Sequence, residues 1–422
     1  MNTTRRNARG EASLQTILEE TAALVGRYGY DGTTIARITQ LTGKPASSLY
    51  WYFDTKDELL AAALENTYGK RPDEIPGWPL FTADSAVETQ LFRALRTDFH
   101  SSETEDPVRL GIMVALEGSA AGSPVQEPFL RRRRQMQSHF ASWWDSAVAA
   151  HRGSPSESVG EWMTMLTLAF YDGHYVSDIV PDADPTPRHG QMVAKALAGA
   201  FEFLLARGTG FPAPTGNHTE GEQQGAVGPS GIDSLLASTR SCVAELGYEG
   251  ATLTAICERA GIQRSSIYWR YKSKDELVRA AVSEPFLELV SSSRPRTDPG
   301  GAGWPLQLAD SLERCVQAAR EDPDTAKAGL LLKLHRRDPL SLGSQAIQLG
   351  IAREAGELAA WVETAIRASG SVVDAGSLAW SLSVLRDGLL LGLIYGQEYT
   401  PLRISELASA MIDGMLAGNR GQ

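Results

Sequence analysis

Apolar residues recur at helical spacing at the start of this chain, and the same spacing returns in its second half. Leu14, Ile17, Leu18, Thr21, Val25 and Tyr28 fall three or four residues apart, and Ile232, Leu235, Leu236, Thr239, Val243 and Leu246 repeat them. Each set predicts an amphipathic first helix that stops at Gly29 or Gly247, since glycine tolerates the positive φ that caps a helix C-terminus. Thr33 or Thr34 then starts a short second helix with Ile35 and Ile38 inward (Leu253 and Ile256 in the second stretch), and Gly43 or Gly261 ends it. In the third helix Leu49 and Phe53, or Ile267 and Tyr271, sit four apart and pack inward. The serines, Tyr50, Tyr52 and their counterparts are thereby expected to point outward. A fourth helix opens with the capping boxes Thr55-Lys56-Asp57-Glu58 and Ser273-Lys274-Asp275-Glu276. Lys56 and Lys274 are thus expected beside the third helix at a helix N-terminus, a position suited to a phosphate. Two short helices separated by a glycine turn predict a helix-turn-helix, twice.

The duplication is in register without a gap from Gly29 and from Gly247, an offset of 218 residues. Identical pairs include Tyr30/Tyr248, Thr34/Thr252, Ile38/Ile256, Gly43/Gly261, Ser48/Ser266, Tyr50/Tyr268, Trp51/Trp269, Lys56/Lys274 and Glu58/Glu276. Further on, Gly77-Trp78-Pro79-Leu80 matches Gly303-Trp304-Pro305-Leu306, and Glu105-Asp106-Pro107 matches Glu321-Asp322-Pro323. A period above about two hundred residues means tandem domains rather than a solenoid, whose repeats are several times shorter. Between the copies, residues 208–231 are rich in Gly, Pro and polar residues and read as a flexible linker. The expected division is a first helix-turn-helix domain over 1–60, a helical body over 61–207, the linker over 208–231, a second helix-turn-helix domain over 232–278 and a second body over 279–418.

The run from Gly29 or Gly247 through T-x-x-x-I, a glycine turn and [LI]-Y-x-x-[FY]-x-x-K-x-x-L resembles the DNA-binding domain of the tetracycline-repressor (TetR) family. The resemblance covers roughly fifty residues per copy and looser features of the bodies, such as Asp387-Gly388-Leu389 and its weaker echo Asp172-Gly173. It implies an all-α protein of two tandem TetR-like units, each a helix-turn-helix domain followed by a helical ligand-binding and dimerisation domain. Carried over by position, it makes Ala46, Ser47, Tyr50 and Tyr52 the groove-facing set of the first copy, and Arg264, Ser265, Tyr268 and Arg270 that of the second. Thr34, Thr252, Tyr50, Tyr268, Lys56 and Lys274 are implied phosphate contacts. Lys44, Ser48, Trp51, Ser266 and Trp269 complete the expected DNA-binding set on the same helices.

The two readers are chemically unequal. Arg264 and Arg270 can each bond guanine O6 and N7 together. Over 262–274 the second copy carries a charge of +4, whereas 44–56 of the first carries +1. The first copy also has Lys44-Pro45 where the family has an aliphatic residue and the second copy has Ile262.

The whole chain of 422 residues has a net charge of −11, which argues against a uniformly basic binder but permits a local reading surface. Apolar stretches such as Leu389 to Tyr395 fall short of a bilayer span, and the N-terminus lacks the apolar run of a signal, so a cytoplasmic protein without a membrane segment is expected. Cys242, Cys257 and Cys315 lack C-x-x-C spacing and read as reduced. The seven histidines form no metal-ligand spacing, and no catalytic or nucleotide motif is present, so neither enzyme nor cofactor is expected. Arg131 to Arg134 form a basic run able to touch DNA or lipid, with a solvated helix face the weightier reading.

Trp78, Trp143, Trp144, Trp162, Phe170, Tyr171, Tyr175, Trp304, Trp361, Trp380 and Tyr395 are candidates to line an effector pocket, with plain core packing the weightier alternative. The expected partners are a double-stranded DNA operator and a small-molecule effector that releases a repressor. The rival reading is a ligand-binding or scaffold protein whose helix-turn-helix units no longer engage DNA. The stretches 156–180 with 190–206 and 371–397 with 402–417 are apolar enough to need partners, and are expected to pair within one chain, with further homodimerisation left open. A 24-residue linker spans about 27 Å as a coil and at most near 80 Å, and its effective concentration, on the order of millimolar, favours the intrachain pair.

Overall fold

The computed structural model describes residues 2–69, 78–98, 107–117, 125–152, 157–177, 186–207, 231–296, 298–299, 303–335, 341–371, 373–397 and 401–417. The expected linker, apart from residue 231, lies outside the described residues. Among those described, every regular element is helical. The first half holds α1 (Asn2–Gly32), α2 (Ile35–Thr42), α3 (Ala46–Tyr50), α4 (Lys56–Gly69), α5 (Val87–Asp98), α6 (Pro107–Glu117), α7 (Glu127–Arg152), α8 (Glu157–Val176) and α9 (Thr186–Arg207). The second repeats the order as α10 (Gly231–Gly250), α11 (Leu253–Ala260), α12 (Arg264–Tyr268), α13 (Lys274–Val278), α14 (Glu284–Ser291), α15 (Trp304–Glu321), α16 (Pro323–Leu334), α17 (Leu342–Ser369), α18 (Ala375–Ile394) and α19 (Pro401–Ala417).

Helix α4 runs unbroken through residue 60, so the proposed first domain boundary falls inside a helix rather than a loop. In the second copy the same stretch is divided by a π-helical turn over Arg279–Ser283, next to the proposed boundary at 278/279.

The halves meet along α8 against α18 and α9 against α19. Equivalent glycines mark both crossings. A Cβ at Gly173 would strike the Val384 backbone, and one at Gly388 would strike that of Ala169. A Cβ at Gly199 or Gly414 would come within 2.8 Å of the other's Cα. Only glycine allows backbones this close, so these four positions fix where the four helices cross.

Helix α18 is long and apolar enough to span a membrane, but 89% of its most apolar window is buried inside the protein, as in a core helix. Its charges are buried too. Asp387 accepts hydrogen bonds from Arg386 at 2.9 Å and, across the halves, from the Ser177 hydroxyl at 2.8 Å, and it pairs with Lys333. Burial alone would raise its pKa, but Arg386 and Lys333 outweigh that and hold it below the usual carboxylate range. The equivalent Asp172 is buried beside Arg133 at 2.5 Å, and there desolvation prevails and raises the pKa.

Candidate nucleic-acid interface

Each head is set by local chemistry the sequence dictates. The Thr34 hydroxyl accepts from Arg37 N at 3.2 Å and the Thr252 hydroxyl from Ala255 N at 3.2 Å, capping α2 and α11. Gly43 (φ 63°) and Gly261 (φ 65°) end those helices in the left-handed region. Ile38, Leu49, Ile256 and Ile267 are buried, which anchors α3 and α12 against their heads. Both N-caps form: Thr55 accepts from Glu58 N at 3.1 Å while Glu58 reaches one residue past the cap to accept from Asp54 N at 2.9 Å, and Ser273 and Glu276 do the same with Glu276 N and Lys272 N at 3.2 and 2.6 Å.

The outward face of the third helix is aromatic and polar. Trp51 is 77% exposed and Trp269 81%, and Tyr50 and Tyr268 are exposed with them, as are Ser47, Ser265 and Ser266. Lys44, Ala46 and Ser48 are half-buried at the edge of this face. In the second copy Arg264 and Arg270 are both exposed; Arg264 donates to the Tyr268 hydroxyl at 3.2 Å, and Arg270 lies 5.4 Å from the Trp269 ring. Large exposed aromatics cost hydrophobic free energy unless a partner covers them, and guanidinium groups ordered over rings are poised for a planar acceptor.

Three side chains stand differently from expectation. Tyr52 is half-buried rather than outward, because its hydroxyl donates to the Gly10 carbonyl at 3.1 Å where α1 passes over it. Lys56 and Lys274 are half-buried as well. Lys56 Nζ donates to the Tyr30 carbonyl at 2.7 Å and sits 4.0 Å from the Tyr30 ring; Lys274 does the same with Tyr248. Desolvation lowers the Lys56 pKa against the pull of nearby carboxylates. Sequence reasoning placed both lysines correctly at the start of a helix but could not see the carbonyl that each side chain reaches, 26 residues away in sequence.

These heads match a known type. Residues 17–63 and 235–281 match the description "Bacterial regulatory proteins, tetR family". The chain carries two tetR-family segments in tandem. Among curated proteins it is 25% identical over 89 residues to the tetracycline repressor protein class A from transposon 1721, of Escherichia coli, a stretch covering 21% of this chain and 41% of that one. It is 26% identical, with the same coverage, to the tetracycline repressor protein class C of Escherichia coli. The chain thus spans about two fifths of the length of these relatives. A solved structure described as a Clostridium perfringens putative fatty acid metabolism regulator aligns with 43% of this chain and 97% of its own, at 18% identity and a TM-score of 0.36.

Behind the tetR-type heads, the aromatics proposed for an effector pocket are mostly packed as core. Trp78 lies 4.7 Å from Phe140 and 5.4 Å from Trp143, and Trp144 donates to the Thr167 hydroxyl at 2.9 Å. Trp162, Phe170, Tyr171, Tyr175 and Trp304 are buried, Trp361 is half-buried, and Trp380 stacks on His189 at 3.9 Å across the halves. Tyr395 lies under Arg133 of the other half at 4.6 Å. A cleft of about 580 Å³ between α9, α15 and α19 is lined instead by residues such as Phe203, Leu306, Asp310 and Asp413, and by none of these aromatics.

Proposed function

We propose that this protein is a transcription regulator that reads an operator with two unequal heads supplied by one chain. The observation that carries this reading is the pair of capped helix-turn-helix heads, each presenting an exposed tryptophan, tyrosine and serine on its third helix. Thr34, Lys44, Ala46, Ser47, Ser48, Tyr50, Trp51, Tyr52 and Lys56 form the reading face of the first head in this proposal. Thr252, Arg264, Ser265, Ser266, Tyr268, Trp269, Arg270 and Lys274 form that of the second. Within these faces Tyr52, Lys56 and Lys274 act mainly by holding the head's shape.

The glycine crossings of α8 with α18 and of α9 with α19 support an intrachain pseudo-dimer. Helix α6 packs on α1 and α16 on α10, so a small molecule that parts the aromatic packing of either body acts on the head it carries. A ligand with unequal affinity for the DNA-bound and free forms would release a repressor this way. The test is a gel shift over a salt series against the gene's own upstream region. The reading expects one 45.6 kDa chain per operator and an affinity that falls steeply with salt. Absence of any salt-dependent shift would favour a ligand-binding or scaffold protein with idle heads.

A further inference from the structure

The two heads touch, and a single carboxylate lies in the contact. Gly29 and Gly247 are equivalent positions, with φ 71° and 67° and an extended ψ, a conformation that strains any residue with a Cβ. A Cβ at either one would collide with the same group, the carboxylate of Glu117 at the end of α6. Glu117 is 2% exposed. It accepts from the Tyr30 backbone N–H of the first head, and its other oxygen lies 2.9 Å from Nε2 of His335, at the end of α16 in the second half. Around it α1 and α10 pack against each other, with Gly32 against Glu249 and Gly250 against Asp31.

A group that meets the same position of both heads stands on the pseudo-twofold axis. In a homodimer of identical halves it would come in two copies, and two buried carboxylates at one point repel. The duplicated chain escapes this. Gly111 packs on Tyr68 as Gly329 packs on Phe286, both pairs 218 residues apart, so His335 is the counterpart of Glu117, and its Nε2 lies 2.9 Å from that carboxylate. One carboxylate remains on the axis, joined to both halves.

We propose that Glu117 is a positioning residue that braces the two heads at one separation and thereby sets the half-site spacing the protein accepts. The proposal rests on the DNA-reading function above. Adding one base pair between half-sites moves them apart by about 3.4 Å and rotates one by roughly 35° about the duplex, a change that a rigid pair of heads cannot follow and a slack pair can.

The test selects an operator with the wild-type protein and then measures binding to versions with one base pair added or removed between the half-sites. Wild type and E117Q, whose amide keeps the reach and an acceptor, are expected to lose about tenfold or more in affinity on each altered spacing. E117A, and E117D whose carboxylate is withdrawn by one methylene, are expected to lose less than about threefold. The same variants, in a Cys257→Ser background with spin labels on Gln40→Cys and Glu258→Cys, should show a broadened distance between the heads without DNA. E117D serves where E117A does not fold. Uniformly weaker binding with the wild-type spacing preference and a narrow distance would mark Glu117 as a merely structural residue and overturn the brace alone. A wild-type protein that selects no two-part operator would overturn the DNA-reading function, and with it the spacing role.

Discussion

Asp172 and Asp387 occupy equivalent places in the two halves, yet burial raises the pKa of one and the other is held low. The difference lies in their partners. Asp172 has one arginine against full desolvation; Asp387 has Arg386 beside it, Lys333 against it and a hydroxyl from the opposite half. Duplication preserved the backbone crossing at Gly173 and Gly388 while the charges around it diverged. The heads show the same division: caps and turn glycines agree between copies, whereas the displayed faces carry Arg264 and Arg270 in one and neither in the other. Backbone geometry leaves little freedom to drift, and side-chain chemistry at the periphery leaves much.

The largest effect expected from this comparison is at Asp387. Replacing it by asparagine leaves Lys333 and Arg386 buried without their counter-charge and should cost about 3–5 kcal/mol in chemical denaturation. Asp172→Asn should cost less than about 1 kcal/mol, because its carboxylate already sits in a site that disfavours charge. Equal losses would show the two aspartates to be equivalent after all.

Their pH dependence should also oppose. A carboxyl whose folded pKa is depressed stabilises the fold above the ordinary carboxylate pKa of 3.8, and that stability is lost as the pH falls through the folded value, as for Asp387. A raised folded pKa gives stability that is full below the ordinary value and is lost as pH rises through the folded one, as for Asp172. Denaturation of D172N between pH 4 and 7 should therefore show a flatter loss with rising pH than wild type.

A smaller effect should separate the heads. Arg270→Ala is expected to weaken operator binding by about 1–3 kcal/mol and to relax preference at a base, while Tyr52→Ala, which removes the bond to Gly10 and the ring packing on Trp51, should weaken binding less and equally for all sequences. Competition gel shifts with base-substituted operators decide this, and a base-specific loss at Tyr52 would reverse the ranking. The smallest effect should be symmetric. Thr34→Ala and Thr252→Ala each remove one N-cap and should each lower stability by about 1 kcal/mol, since the two caps have the same 3.2 Å geometry. A clear inequality in their melting curves would show that the heads differ in stability as well as in charge.

The sequence by itself determined the helices of the heads, their caps, their glycine turns and the order of both units, because these depend on residues within a turn or two of one another. The inward Leu49 and Ile267 and the outward Trp51 and Trp269 follow from a period of 3.6, and duplication doubled the signal. Tyr52 went the other way because its partner, the carbonyl of Gly10, lies 42 residues away, and Lys56 and Lys274 because a carbonyl across the head outbids solvent. The aromatics Trp78, Trp143 and Trp144 gave a signal that fits pocket and core alike, and only packing at 4.7 to 5.4 Å makes them core. What the tertiary structure alone decided is the meeting of Glu117 with Gly29, Gly247 and His335. Nothing local marks a glutamate at a helix end as special; its role comes from standing where two copies of one design converge, a property of the assembled halves and of no single stretch of chain.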